Sequence, residues 1–166
     1  MENQLLSTAK PGAKAIVLSG LIVGTLDILA AIIDFYVSTG KNPSAIFKYI
    51  ASAVMGMDAF AGGTAVILLG LLLHYIIAFL FTILFYFLYY RFAWMRLNKI
   101  LIGIGYGVFI WAVMNRIVVP LSLTPKANGF VIWKAVKAAS ILIFMIGIPL
   151  SFLAARFYKK TNAANS

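Results

Sequence analysis

Five polar side chains lie inside long apolar stretches of this sequence, and their types could do chemistry in a membrane. Asp27 and Asp34 belong to the stretch LIVGTLDILAAIIDFYV, which contains no basic residue. His74 is the only histidine of the chain, and Asn115 precedes Arg116 in a third apolar stretch. A charged side chain at the centre of a bilayer costs at least about 2.5–3.5 kcal/mol, so it usually faces a partner or a water-filled path. These residues are therefore the candidates for a transport or binding site.

Helix geometry sorts these residues into two levels. At about 1.5 Å per residue, Asp27 lies roughly 18 Å from the inner end of its span and His74 roughly 15 Å from the outer end of the next. In a hydrocarbon core about 30 Å thick, the two lie near the midplane within a few Å of the same level. The same geometry places Arg116 close in height to Asp34. The sequence thus predicts a midplane pair, Asp27 with His74, and an outer pair, Asp34 with Arg116, with Asn115 beside it.

Each pair has a functional and a structural interpretation. Asp27 and His74 could titrate as a coupled unit and carry a proton, an ion or a small solute. The alternative is that they only form hydrogen bonds between helices. Asp34 and Arg116 could form an outer gate or an anion-recognition site. Alternatively, Arg116 extends to the headgroups and Asp34 neutralises its charge.

Composition identifies the surroundings of these residues as a membrane. Hydrophobic residues make up 63% of the 166 and charged residues 11%, far below the roughly 25% charged residues of a soluble domain. The net charge of +10 does not indicate nucleic acid, because the basic residues lie mostly at the ends of apolar runs. That distribution is typical of loops held at lipid headgroups, so the lipid bilayer is the expected partner.

The apolar runs predict an all-α integral membrane protein that forms a single transmembrane domain over residues 1–166. Four runs reach or approach the roughly 20 residues that span a bilayer. The predicted spans are residues 15–37, 64–90, 100–121 and 138–157. The retained first span follows a polar N-terminal segment without a convincing cleavage site.

A short amphipathic helix is predicted between the first two spans, over residues 43–57. Asn42 could cap it, with Pro43 at its first position. Its apolar residues recur at spacings of four, four and three: Ile46, Ile50, Val54 and Met57. Lys48 and Ser52 face elsewhere. The helix could lie on the outer membrane surface or pack over the bundle as a lid.

Small residues and a proline predict where the spans approach one another or bend. GxxxG motifs occur in the first and third spans, at Gly20 and Gly24 and at Gly103 and Gly107. Such motifs allow backbones to touch, within one protomer or between protomers. Gly147 and Pro149 predict a bend in the fourth span, because proline lacks a backbone donor.

The distribution of Lys and Arg predicts the orientation. Eight lie on the side that holds both termini: Lys10, Lys14, Arg91, Arg96, Lys99, Arg156, Lys159 and Lys160. Five lie on the other side: Lys41, Lys48, Lys126, Lys134 and Lys137. Because positive loops remain in the cytoplasm, we expect a multi-pass protein with both termini cytoplasmic.

Catalytic and cofactor motifs are scarce. The sequence contains no GxSxG, no HExxH and no phosphate-binding glycine-rich loop followed by lysine. The absence of Cys excludes disulfides, iron–sulfur clusters and zinc sites that need thiolates. We therefore predict no catalytic residues, no enzymatic activity and no cofactor or metal. A membrane enzyme, or a haem protein ligated by His74 across a symmetric dimer, is the alternative.

Four segments carry a resemblance to a known group of proteins: GTLDILAA (24–31), GKNPSAIFKYIASAVMG (40–56), AFAGGTAVILLGLLLHY (59–75) and VVPLS (118–122). They resemble small four-span bacterial inner-membrane proteins that are similar in overall plan to the YagU-type domain. The resemblance covers most of the chain. It implies a helical fold in a bacterial inner membrane and supplies no activity.

The sequence as a whole favours a helical bundle that forms a homo-oligomeric channel or transporter for protons, ions or a small solute. Asp27 and His74 would carry that activity. The alternative is a lipid-binding or scaffold protein that transports nothing, whose buried polar pairs only hold the helices together.

Overall fold

The computed structural model describes residues 12–125 and 131–164, and within these ranges the chain is helical and contains no strand. Four described helices are long and apolar enough to cross a membrane. They are span 1 (Ala13–Thr39), span 2 (Thr64–Arg91), span 3 (Lys99–Leu121) and span 4 (Ile132–Lys159). The chain is a small, multi-pass helical membrane protein. We call the end with the start of span 1, residues 92–98 and Lys159 the terminal end, and the opposite end the loop end.

Span 4 begins earlier than the sequence predicted, at Ile132 rather than at residue 138. The prediction began only after the charge of Lys137, whereas the helix continues through Lys134 and Lys137. Long lysine side chains can extend from a helix towards the headgroups, so they do not have to end a span. This places Lys137 inside the helix. Lys10 and Lys126, which were counted for the orientation, lie outside the described residues.

Both GxxxG motifs are used within this protomer. A Cβ atom at Gly20 would lie 2.5 Å from the ring of Phe79, so this side chain of span 2 packs against the bare backbone of span 1. A Cβ atom at Gly107 would lie 2.5 Å from the Cα atom of Ile143 in span 4. The spans therefore pack as two close pairs, span 1 with span 2 and span 3 with span 4.

Large aromatic side chains fill the terminal half of the bundle. Phe85 and Tyr86 of span 2 are fully buried, as is Leu150 of span 4. Tyr106 of span 3 packs edge-to-face on Phe85, with ring centroids 4.7 Å apart. Its hydroxyl donates to the carbonyl of Phe81 at 2.5 Å. This core joins spans 2, 3 and 4 and closes the interior of the protomer at this end.

A short helix (Ser44–Met55), followed by a 3₁₀ turn (Gly56–Ala61), packs directly against span 2. A Cβ atom at Gly70 would lie 2.0 Å from the carbonyl oxygen of Phe47, so the two backbones touch there. Gly70 lies roughly 9 Å inside span 2 at about 1.5 Å per residue. The structure therefore favours the packed helix over one that lies apart on the membrane surface. The Asn42 side chain accepts from the N–H of Ser44 at 2.9 Å, but the helix begins at Ser44 with Pro43 as its N-cap residue, one position later than predicted.

The predicted apolar face of this short helix is not its buried face. Val54 and Met57 are 53% and 69% exposed, whereas Ala51 and Ser52 are fully buried. The Ser52 hydroxyl donates to the carbonyl of Tyr49 at 2.6 Å, so a small polar residue can face the contact without an unpaired group. Small residues face span 2 because the helices approach too closely for larger ones.

Spans 3 and 4 each contain a π-helical turn that ends two residues before a proline. In span 3 the turn covers Met114–Val118, and the N–H of Val119 bonds to the carbonyl of Met114. In span 4 the turn covers Ile143–Gly147, and the N–H of Ile148 bonds to the carbonyl of Ile143. Pro120 and Pro149 follow and have no N–H to donate. The widened turns are the local response of each helix to its proline.

Candidate functional site

The imidazole of His74 connects span 2 to the backbone of span 1 near the middle of the membrane. Its Nε2 lies 2.9 Å from the carbonyl oxygen of Gly24, and the side chain is half-buried. A carbonyl oxygen only accepts hydrogen bonds, so Nε2 carries the hydrogen. In the neutral ring, Nδ1 then keeps the lone pair that can take a further proton.

Asp27 lies one helical turn after Gly24 on the same side of span 1. It is half-buried, and its carboxyl group interacts electrostatically with the imidazole of His74. Asp27 lies roughly 18 Å and His74 roughly 15 Å from the loop ends of their spans, at about 1.5 Å per residue. The structure thus brings together the two residues that the sequence placed at the same level. What they do there stays a prediction.

Tyr75 fixes the position of span 2 against this part of span 1. Its ring packs where a Cβ atom at Gly24 would lie 3.1 Å away, so the glycine makes room for it. The Tyr75 hydroxyl lies 2.8 Å from the hydroxyl of Thr25, in an exposed hydrogen bond. The rings of His74 and Tyr75 meet edge-to-face, with centroids 5.5 Å apart. These contacts orient His74 through its neighbour as well as through its own hydrogen bond.

A further polar contact joins the same two helices nearer the terminal end. The hydroxyls of Ser19 and Tyr86 lie 2.8 Å apart, and both side chains are fully buried. Thr82, also fully buried, donates to the carbonyl of Ala78 within its own helix.

Together these residues form one polar strip between two helices. We call the polar seam of spans 1 and 2 the residues Ser19, Gly24, Thr25, Asp27, His74, Tyr75 and Tyr86.

The predicted pairing of Asp34 with Arg116 is wrong. Lys137 of span 4 places its Nζ 2.7 Å from Oδ1 of Asp34, and the same ammonium donates to the hydroxyl of Ser38 at 3.1 Å. No ion pair among the described residues joins Asp34 to Arg116. The error follows from the late predicted start of span 4, which assigned Lys137 to a loop.

Asn115 and Arg116 lie in the π-helical turn of span 3, and both are exposed. Asn115 donates through Nδ2 to the carbonyl of Trp111 at 2.9 Å, one turn earlier in its own helix. The structure therefore separates these two residues from Asp34 and from the polar seam. The predicted gate or anion site required Asp34 beside these two residues, and Asp34 instead pairs with Lys137.

The polar seam holds groups that can exchange protons and form hydrogen bonds. Among the described residues, no three His, Asp or Glu side chains cluster closely enough to hold a metal ion. Sequence reasoning missed Thr25, Tyr75 and Lys137. Tyr75 directly follows His74, and Thr25 directly follows Gly24. This adjacency in sequence was the feature that could have indicated the two residues.

No family model, no curated protein and no solved structure matches this chain.

Proposed function

We propose that this protein forms a homo-oligomer that moves a proton, an ion or a small solute across the membrane by way of Asp27 and His74. The observation that carries the proposal is the hydrogen bond from His74 to the Gly24 carbonyl, which places the imidazole beside the turn of span 1 that carries Asp27, roughly midway along both spans. Ionisable side chains at this depth are costly to insert and commonly mark proton or ion pathways. In the polar seam, hydrogen bonds join His74 to Gly24 and Tyr75 to Thr25, next to Asp27.

The hydrogen bond to Gly24 suits a side chain that gains and loses a proton. Nε2 is a donor in both the neutral and the charged imidazole, so protonation at Nδ1 leaves the bond to the carbonyl unbroken. Either form of the ring therefore keeps its hydrogen bond to span 1. The carboxylate of Asp27 can balance the charge that protonation creates.

Assembly of several copies would supply a path beside the polar seam. Phe85, Tyr86 and Leu150 fill the protomer interior on the terminal side. By contrast, the hydrogen bond between Thr25 and Tyr75 is exposed, and Asp27 and His74 beside it are not fully buried. Polar groups that face outward at this depth need cover from protein or water, because lipid tails offer no hydrogen-bond partner. A neighbouring copy on this face would provide that cover and could enclose water.

Proton flux in proteoliposomes tests the proposed activity. Vesicles with a trapped pH-sensitive dye receive a pH step, and the wild-type protein should speed the internal pH change relative to protein-free vesicles. If no proton movement is seen, the same vesicles are tested for release of monovalent ions and small polar solutes. A folded, reconstituted wild-type protein that moves none of these would contradict the proposal.

A His74→Gln variant tests the role of the imidazole. The amide nitrogen of glutamine can still donate to the Gly24 carbonyl, but glutamine does not titrate. It should fold like the wild type and lose the flux. Asp58→Asn is the matched control, because it removes an exposed carboxyl from the 3₁₀ turn outside the spans. Its flux should equal that of the wild type.

Cross-linking tests the proposed assembly. The chain has no cysteine, so a single Thr25→Cys variant reports on contact between copies without a background reaction. We expect this variant to form a disulfide-linked dimer in membranes. A Leu97→Cys variant, exposed at the terminal end, is the control and should remain monomeric.

A scaffold or lipid-binding protein is the second candidate function. The contacts of Ser19 with Tyr86, His74 with Gly24, and Thr25 with Tyr75 tie spans 1 and 2 together at successive levels. Such contacts also stabilise a bundle that transports nothing. Absence of flux together with a large loss of stability in His74→Leu would favour this function.

We also propose a bacterial inner membrane and cytoplasmic termini. The resemblance to YagU-type proteins supports the membrane, and the excess of Lys and Arg on the side of both termini supports the orientation.

A further inference from the structure

A basic groove opens at the terminal end of spans 3 and 4. It has a volume of about 450 Å³ and is lined by Lys99, Phe152, Leu153, Ala155, Arg156 and Lys159. This volume falls within the range of roughly 300–1,000 Å³ typical of sites for small ligands. Three of the six lining residues are cationic, and the other three are apolar.

Local contacts hold the Lys99 side of this groove in place. The Asn98 side chain caps the start of span 3 by accepting from the N–H groups of Ile100 and Leu101. The Ser151 hydroxyl of span 4 donates to the carbonyl of Lys99 at 2.7 Å. The Lys99 ammonium lies 5.3 Å from the centroid of the Phe152 ring, a cation–π distance.

The cations of span 4 share one helix face with the apolar floor. Phe152, Arg156 and Lys159 follow one another at spacings of four and three, so they form one stripe along the helix. The stripe runs from an aromatic ring in the apolar span to charges at its end. A ligand that follows it would meet apolar groups at one end and cations at the other.

No described carboxylate neutralises this groove. The described acidic residues are Asp27, Asp34 and Asp58, and none of them lines it. Asp34 is paired with Lys137, towards the other end of span 4. The positive charge of the groove is therefore available to an anion from outside the protomer.

We propose that this groove binds the phosphate headgroup of an anionic phospholipid. Its three cations match an anionic phosphate, and its apolar floor continues into the part of span 4 that faces lipid tails. Phe152 is 48% exposed and gives the start of an acyl chain a surface to pack on. Basic pockets between membrane helices are suited to such headgroups. A free phosphate would satisfy the cations and leave the apolar floor unused.

Native mass spectrometry of the full-length protein in detergent tests the site, because it counts bound lipids by mass. The protein is titrated with dioleoyl phosphatidylglycerol, with dioleoyl phosphatidylcholine and with inorganic phosphate. We expect the first phosphatidylglycerol to bind at least tenfold more tightly than phosphatidylcholine, and phosphate alone to bind weakly. Equal binding of the two lipids, or phosphate binding as tight as that of phosphatidylglycerol, would overturn the assignment.

A charge-matched pair of variants locates the binding. The combined change Lys99→Gln, Arg156→Gln and Lys159→Gln should weaken phosphatidylglycerol binding about one-hundredfold, since each cation near the membrane surface contributes about fivefold. The control, Lys41→Gln, Arg116→Gln and Lys134→Gln, removes the same charge from exposed positions elsewhere. It should leave binding unchanged. Equal losses in the two variants would show attraction to net charge alone and overturn the site.

A single change keeps the test decisive if the triple variant does not fold. Arg156 is exposed, so Arg156→Gln should retain the fold and weaken phosphatidylglycerol binding about fivefold. Unchanged affinity in this variant would overturn the assignment of the site to this groove.

Discussion

His74 donates through Nε2 to the backbone carbonyl of Gly24 at 2.9 Å, and this bond crosses from span 2 to span 1. The acceptor is a backbone atom of a glycine whose missing side chain also admits Tyr75. The glycine at position 24 therefore allows both the close approach of the helices and the hydrogen bond. The backbone of span 1 therefore fixes the position of His74.

Removing this hydrogen bond should lower the stability of the bundle. We expect His74→Leu to lose about 0.5–1.5 kcal/mol, the range for polar contacts between membrane helices. His74→Gln should lose less, because its amide can still donate. Thermal unfolding in detergent, followed by circular dichroism, measures both. A His74→Leu variant as stable as the wild type would show that the bond contributes nothing to the fold.

Asp34 and Lys137 should be coupled in a double-mutant cycle. Asp34→Asn and Lys137→Gln remove the two charges separately and together. Each side chain is 35% exposed, so screening limits the expected coupling to about 0.2–1 kcal/mol, decreasing with salt. Asp34→Asn with Arg116→Gln is the control and should be additive. Coupling to Arg116 with none to Lys137 would contradict the observed pairing.

The spans were predictable because their composition alone requires burial in lipid. Composition does not determine where a helix begins when lysines lie in its first turns, which is why the start of span 4 was placed late. The partner of Asp34 was missed for the same reason, because Lys137 was assigned to a loop. Pairing also depends on which helices are neighbours, and hydropathy carries no information about that.

Gly70 should not tolerate a side chain. A Cβ atom there would lie 2.0 Å from the carbonyl oxygen of Phe47, and backbone cannot move aside as a flexible side chain can. We expect Gly70→Ala to cost about 1–3 kcal/mol as the short helix is displaced. Gly105→Ala is the matched control, because nothing lies within 4 Å of its Cβ position. It should be neutral or slightly stabilising, and equal losses in both variants would contradict the close contact.

The level of Asp27 and His74 was predictable from helix geometry, but the details of the site were not. Counting residues along a helix gives the level of a residue in the membrane. It does not give the rotation of the helix about its axis, which decides the direction in which the side chain points. The Gly24 acceptor and the bond between Thr25 and Tyr75 depend on which faces meet. The short helix shows the same limit, since its buried Ser52 lies on a face that the apolar spacing did not indicate.

Single cysteines test the proposed orientation. Lys41→Cys lies at the loop end and Leu97→Cys at the terminal end, and both positions are exposed. With no native cysteine, an impermeant maleimide applied to intact cells should label Lys41→Cys alone. Leu97→Cys should react only after the membrane is opened. Labelling of Leu97→Cys in intact cells would reverse the orientation.

The pH dependence of flux through Asp27→Asn shows whether the Asp27 carboxyl carries the proposed movement of protons, ions or solute. Asparagine keeps the size and hydrogen bonding of the side chain and removes its titration. We predict a folded protein that assembles normally in liposomes, whereas the pH-dependent flux of the wild type is lost. Asp58→Asn, measured beside it, should match the wild type at every pH. Unchanged pH-dependent flux in a well-folded Asp27→Asn protein would contradict the account and leave Asp27 with a structural role only.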